Sequence, residues 1–180
     1  KFLSGETAIN SLRIQKDASE VEAMRKAVKI AEQGFLRMLK HVKIGMTERE
    51  LAAELSLQML RGGSEPELPF SPIIASGPNS ANPHANPSDR RLADGDLVVV
   101  DWGASYAGYY SDLTRTLAIG DVEPELRQIA RIVADANAAG RAAGKPGIAA
   151  GAVDQAARAV IATAGYGQFF THRTGHGLGM

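Results

Sequence analysis

Two aspartates constrain this chain more than any other feature. Asp101 closes the run Asp96-Leu-Val-Val-Val-Asp101-Trp-Gly103, and Asp112 follows in Tyr109-Tyr-Ser-Asp112-Leu-Thr-Arg-Thr116. The first segment reads as a buried strand over about 96–102 and the second as a strand over 109–118. A carboxylate at the end of a buried strand is costly unless a cation or hydrogen-bond donors balance it. Two such groups brought together repel, so a positive charge is expected between them. Later, His172-Arg-Thr-Gly175-His176-Gly-Leu-Gly179 sets imidazoles in a glycine-rich turn. Two carboxylates and a histidine suit a hard or borderline divalent metal.

The rest of the chain supplies a scaffold. Residues 17–40 predict an amphipathic helix with an apolar stripe of Val21, Met24, Val28, Ala31, Phe35 and Met38, opened by a Ser19/Glu22 capping box. Thr47 and Glu50 form a second box, opening a helix that carries Leu51, Leu55 and Met59 and stops at Gly62-Gly63. Phe70–Ser76 is a short strand candidate, followed by a polar loop over 77–91 with His84 in its middle. Pro124 fits the first position of a third helix carrying Leu126, Ile129, Val133 and Ala136. A fourth helix over 151–164 carries Val153, Ala157, Val160 and Ile161, and Gly165 closes it. Helices, then strands, then helices give an α+β architecture.

Bulk properties exclude several function classes. Lys+Arg and Asp+Glu are each 20, so no basic excess points to nucleic acid or a membrane surface. The absence of cysteine excludes disulfides and thiolate metal sites and fits a cytoplasmic protein. No apolar run approaches the roughly 20 residues of a membrane span. The chain opens on Lys1 without an initiator methionine, which reads as a piece of a longer protein. Gly-x-Gly near the C-terminus lacks the strand-then-helix setting of a phosphate loop, so nucleotide binding is discounted.

Asp-Trp-Gly-Ala at 101–104, Ser-Asp-Leu-Thr-Arg-Thr at 111–116 and His-Arg-Thr-Gly-His-Gly-Leu-Gly at 172–179 resemble motifs of the Xaa-Pro peptidases, the prolidase and aminopeptidase P branch of the pita-bread metallopeptidases. The resemblance extends upstream through Leu12-Arg-Ile-Gln-Lys-Asp17, Gly45-Met-Thr-Glu48 and Ser76-Gly-Pro-Asn-Ser-Ala-Asn-Pro-His84. It implies an incomplete pita-bread fold, with helices packed on a mainly antiparallel sheet. Residues 1–16 would be a linker from an absent N-terminal domain, and 17–180 the N-terminal part of the catalytic domain.

The resemblance also implies the chemistry. Asp101, Asp112 and His176 match metal ligands of a dinuclear site, and two glutamate ligands are expected beyond Met180. His84 and His172 match residues that hydrogen-bond the peptide carbonyl or its tetrahedral intermediate, and for His172 a purely structural hydrogen bond is nearly as good a reading. Thr114 is a candidate to orient a metal-bridged hydroxide that attacks the Xaa-Pro bond. The implied cofactors are two divalent ions, Mn²⁺ first, with Co²⁺ or Zn²⁺ as substitutes. The implied partner is a proline-containing peptide, and the implied assembly a homodimer. Methionine aminopeptidase, a metal-free creatinase-type hydrolase and a non-catalytic pita-bread binding module are the competing readings. Proline specificity follows from no residue of the chain itself, and the fragment alone is expected to be inactive.

Overall fold

The computed structural model describes residues 6–180 and resolves into two compact units: residues up to Asp121 with Gly177–Met180, and Val122–His176. The stretch expected to be a linker carries a short helix, α1 (Glu6–Ile14), while its first five residues lie outside the described part.

The first unit packs two long helices on a sheet. α2 (Ala18–Met38) opens on a capping box, but the box is Asp17/Glu20 rather than Ser19/Glu22. Asp17 Oδ1 accepts from the Ser19 and Glu20 amides at 2.8 and 2.9 Å, and the Asp17 amide donates to Glu20 Oε2 at 2.6 Å. A carboxylate accepts those helix N–H groups better than a serine hydroxyl does, so the helix opens at Asp17.

The buried stripe of α2 keeps Ala31 and Met38 but otherwise differs from expectation. It consists of Ala23, Ala27, Ala31, Gly34 and Met38, whereas Val21 is exposed. Small residues win this face because α3 (Glu48–Arg61) approaches closely: a Cβ added to Gly34 would stand 2.9 Å from Met59 Cγ. α3 keeps its predicted Thr47/Glu50 box, and Leu51, Leu55 and Met59 are buried as the spacing requires.

The sheet is antiparallel in the order β1 (Ile73–Ser76), β2 (Leu97–Trp102), β5 (Leu113–Ala118). The central strand alternates, with Val98, Val100 and Trp102 in the core and Leu97, Val99 and Asp101 half-buried on the other face. The core face meets Met38, Leu51, Leu55 and Met59. A small hairpin, β3 (Ser105–Tyr106) and β4 (Tyr109–Tyr110), extends beyond the sheet.

The second unit is an α-helical pair, α4 (Pro124–Ala143) and α5 (Ala150–Thr163). Its core is Ala136, Ala157 and Ile161. Pro124 opens α4 as expected, but Leu126 and Val133 of the predicted stripe are exposed.

Candidate active site

The two aspartates lie on one continuous hairpin. β2 pairs β5 with Asp101 opposite Thr114 and Trp102 opposite Leu113, and β3 pairs β4 with Ser105 opposite Tyr110. Both ladders have the same pairing offset, so they are two stretches of a single hairpin interrupted at Gly103 and Asp112. Asp112 therefore lies just outside the strand in which it was expected, ahead of Leu113. The common offset sets it opposite Gly103, making Asp101 and Asp112 diagonal neighbours on one face. Diagonal positions of an antiparallel pair are about 7 Å apart, within reach of carboxylates sharing a cation site.

Neighbouring residues fix that geometry. Trp102 is buried, stacks on Phe35 at 4.5 Å between ring centroids, and donates from Nε1 to the Ala31 carbonyl at 3.0 Å. Thus the strand end carrying Asp101 is pinned to α2. Buried Ser111 accepts from the Ala104 amide through Oγ at 2.9 Å, and its own amide donates to the Ala104 carbonyl at 3.0 Å. A Cβ on Gly103 would stand 2.1 Å from the Ser111 carbonyl oxygen, so only glycine lets the backbone close up here. The turn itself is Ala107-Gly108, with φ of 52° and 75°, the left-handed pair that a two-residue hairpin turn demands. Thr114 Oγ1 donates to Asp101 Oδ1 at 2.9 Å, so its hydroxyl orients the carboxylate.

His84 is exposed in the loop after β1, where its amide donates to Asn82 Oδ1 at 3.0 Å. His172 and His176 are exposed in the second unit. Their segment is tied to α5: Arg158 Nη1 and Nη2 donate to the Phe170 and His172 carbonyls at 2.7 and 2.8 Å. Asp154 Oδ1 accepts from the Thr174 amide at 2.7 Å and its hydroxyl at 3.0 Å. The Thr174 amide, then Arg158, hold the Asp154 carboxyl below its ordinary range. Asp154 and Arg158 were invisible in the sequence because their i,i+4 spacing reads as an ordinary helix-surface pair.

Glu48 carries no functional signal in the sequence either. It is the first residue of α3 and has 0% exposure. Oε1 accepts from the Ser76 amide and hydroxyl, both at 2.7 Å. Oε2 accepts from the Ser88 amide at 3.0 Å and hydroxyl at 2.6 Å, and Asn79 Nδ2 reaches both oxygens at 3.1 and 3.2 Å. Burial alone would raise this carboxyl, but the bonds from Ser88 and Ser76 win and bring it down to about 2. Beside it, Arg90 forms a bidentate pair with Asp96 at 2.6 and 2.9 Å and donates to Ser76 Oγ at 2.7 Å.

The chemistry of the donor set fits a metal on the aspartate side. Asp101 and Asp112 offer oxygen ligands on one face, and Thr114 supports the first of them. Among the described residues, no three or more His, Asp or Glu side chains are gathered into a complete metal cluster.

Comparison with known proteins identifies the family of the chain. The profile of metallopeptidase family M24 matches residues 22–180. The Xaa-Pro dipeptidase of Pyrococcus furiosus is 41% identical over 180 residues, covering 100% of this chain and 51% of that protein. The crystal structure of an X-Pro aminopeptidase from Thermotoga maritima superposes with a TM-score of 0.94 at 37% identity, over 99% of this chain and 51% of that one. The prolidase from Pyrococcus furiosus superposes with a TM-score of 0.93 at 41% identity, over 97% and 51%. The chain thus spans about half the length of these relatives and has the α+β, pita-bread architecture of the part it matches. It belongs to metallopeptidase family M24.

Proposed function

We propose that the full-length protein is a metal-dependent exopeptidase that hydrolyses Xaa-Pro bonds, using Asp101, Asp112 and His176 as metal ligands and His84 and His172 as substrate-facing groups. The observation that carries the reading is the shared hairpin of Asp101 and Asp112, in a chain whose relatives include an Xaa-Pro dipeptidase. Asp101, Asp112 and His176 would hold divalent metal, Mn²⁺ in the first instance, which would supply a water nucleophile near neutral pH. The chain's own residues do the rest. Thr114 keeps the Asp101 carboxylate turned for ligation. His84 and His172 donate to the scissile carbonyl as its oxygen gains charge. Residues 1–16 join the catalytic part to a preceding domain, and 17–180 form the N-terminal part of the catalytic domain. As the family resemblance implies, the protein works as a cytoplasmic homodimer; no described helix is long and apolar enough to cross a membrane.

The test is hydrolysis by the full-length protein, loaded with Mn²⁺, of an Xaa-Pro dipeptide and of a longer peptide beginning Xaa-Pro. Cleavage of the dipeptide alone identifies a dipeptidase, and release of the first residue from the longer peptide an aminopeptidase. Chelation should abolish either activity. If neither substrate is cut, the proposal fails, and methionine-aminopeptidase or purely binding roles take its place.

A further inference from the structure

We propose that Glu48 is the positioning residue of the His84 loop, a buried carboxylate that clamps both ends of the segment presenting this imidazole to substrate. The inference rests on the reading of His84 as a substrate-facing group. The loop runs through polar, proline-broken sequence from Gly77 to Arg91, and little of it is buried. Nothing in that composition would hold a histidine to the tolerance that substrate polarisation needs. Glu48 supplies the missing restraint. Ser76 immediately precedes the loop, Asn79 lies in its first turn and Ser88 near its end, and all three converge on this carboxylate. Backbone bonds reinforce the closure: the Glu48 amide donates to the Arg90 carbonyl at 3.0 Å and the Arg49 amide to the Ser88 carbonyl at 3.2 Å.

The polarity of the contacts explains why an acid is required. Ser76, Asn79 and Ser88 all donate to the Glu48 oxygens, and each oxygen faces one backbone N–H that cannot turn away. A glutamine offers one acceptor oxygen, so its amide nitrogen would meet one of those N–H groups head-on. Arg90 closes the alternative at Ser76. By donating to Ser76 Oγ it leaves that hydroxyl free to donate only to Glu48. Asp96 in turn balances Arg90. Gly77 turns tightly over this pair at φ +50°, where a Cβ would stand 2.5 Å from Arg90 Nη2.

The experiment uses full-length protein in four forms: wild type, E48Q, H84A and the double variant. Hydrogen exchange is followed over residues 76–91, and kcat/KM on an Xaa-Pro substrate. E48Q should speed exchange at the Ser76 and Ser88 amides and through the loop, leaving β2 and β5 protected. It should lower kcat/KM about 100-fold, the cost of a misplaced catalytic group. In the H84A background the same change should cost almost nothing further, because Glu48 acts through His84. Unchanged loop exchange, or losses that multiply in the double variant, would overturn the proposal. S88A, which removes a single hydroxyl bond, serves if E48Q does not fold. A wild-type protein inactive on Xaa-Pro substrates would refute the functional reading, and the exchange measurement would still decide the clamp.

Discussion

Protonating Glu48 should be one of the costlier single events in the acid unfolding of this fold. In the folded chain its carboxyl titrates at about 2, against an ordinary 4.5. That gap corresponds to about 3 kcal/mol of stability at 1.36 kcal/mol per pH unit. The sign follows from the direction. A depressed folded-state value means that the contribution is complete above 4.5 and lost as pH falls from there toward 2. Asp17, Asp96 and Asp154 are also held low and weaken the fold over the acid range. Comparing wild type with E48Q removes their shared contribution. Guanidinium unfolding of both, stripped of metal by a chelator, should give a gap of about 3 kcal/mol at pH 6, from a lost charge-assisted set and one orphaned N–H. Near pH 2 the gap should shrink below about 1 kcal/mol, because folded wild type is then about half protonated and its unfolded form fully so. A gap that stays constant from pH 6 to pH 2 would refute the reasoning, since it would mean that the charge on Glu48 contributes nothing.

Three further outcomes are expected. Thr114→Val removes one hydrogen bond from the Asp101 carboxylate and leaves the proposed ligands in place, so Mn²⁺ affinity measured by calorimetry should drop about 10–100-fold. Gly103→Ala drives a methyl into the Ser111 carbonyl and should cost about 1–3 kcal/mol in a thermal melt, with Asp112 displaced. Asp154→Ala removes both anchors of Thr174, and the Thr174 amide should exchange faster while α4 stays protected.

Much of this was legible in the sequence, for physical reasons that differ from place to place. The central strand was readable because Leu97–Trp102 is apolar and bounded by turn signals, and α3 because its capping box and its Leu51/Leu55/Met59 spacing agree. The stripe of α2 is legible in part: Ala31 and Met38 are buried and Phe35 packs on the core as the spacing requires, but hydrophobicity also marks Val21, which is exposed, while close approach selects Ala23, Ala27 and Gly34. Periodicity registers how apolar a residue is but not how near its neighbour comes. The aspartate pair could be found through its flanks. Glu48 could not, because in one dimension it is one more acidic residue in a helix's first turn, where such residues are ordinary. Its partners Ser76, Asn79 and Ser88 lie 28, 31 and 40 positions away and converge only through the fold.

The uninterrupted offset of the hairpin also governs which changes in chain length this family member tolerates. Side chains of a strand alternate, so one residue inserted between Trp102 and the turn would send either Asp101 or Asp112 to the opposite face of the sheet. Lengthening the tip at Ala107-Gly108 would leave the register of both aspartates untouched. Natural variation should therefore collect at that tip and spare the few residues on either side of it.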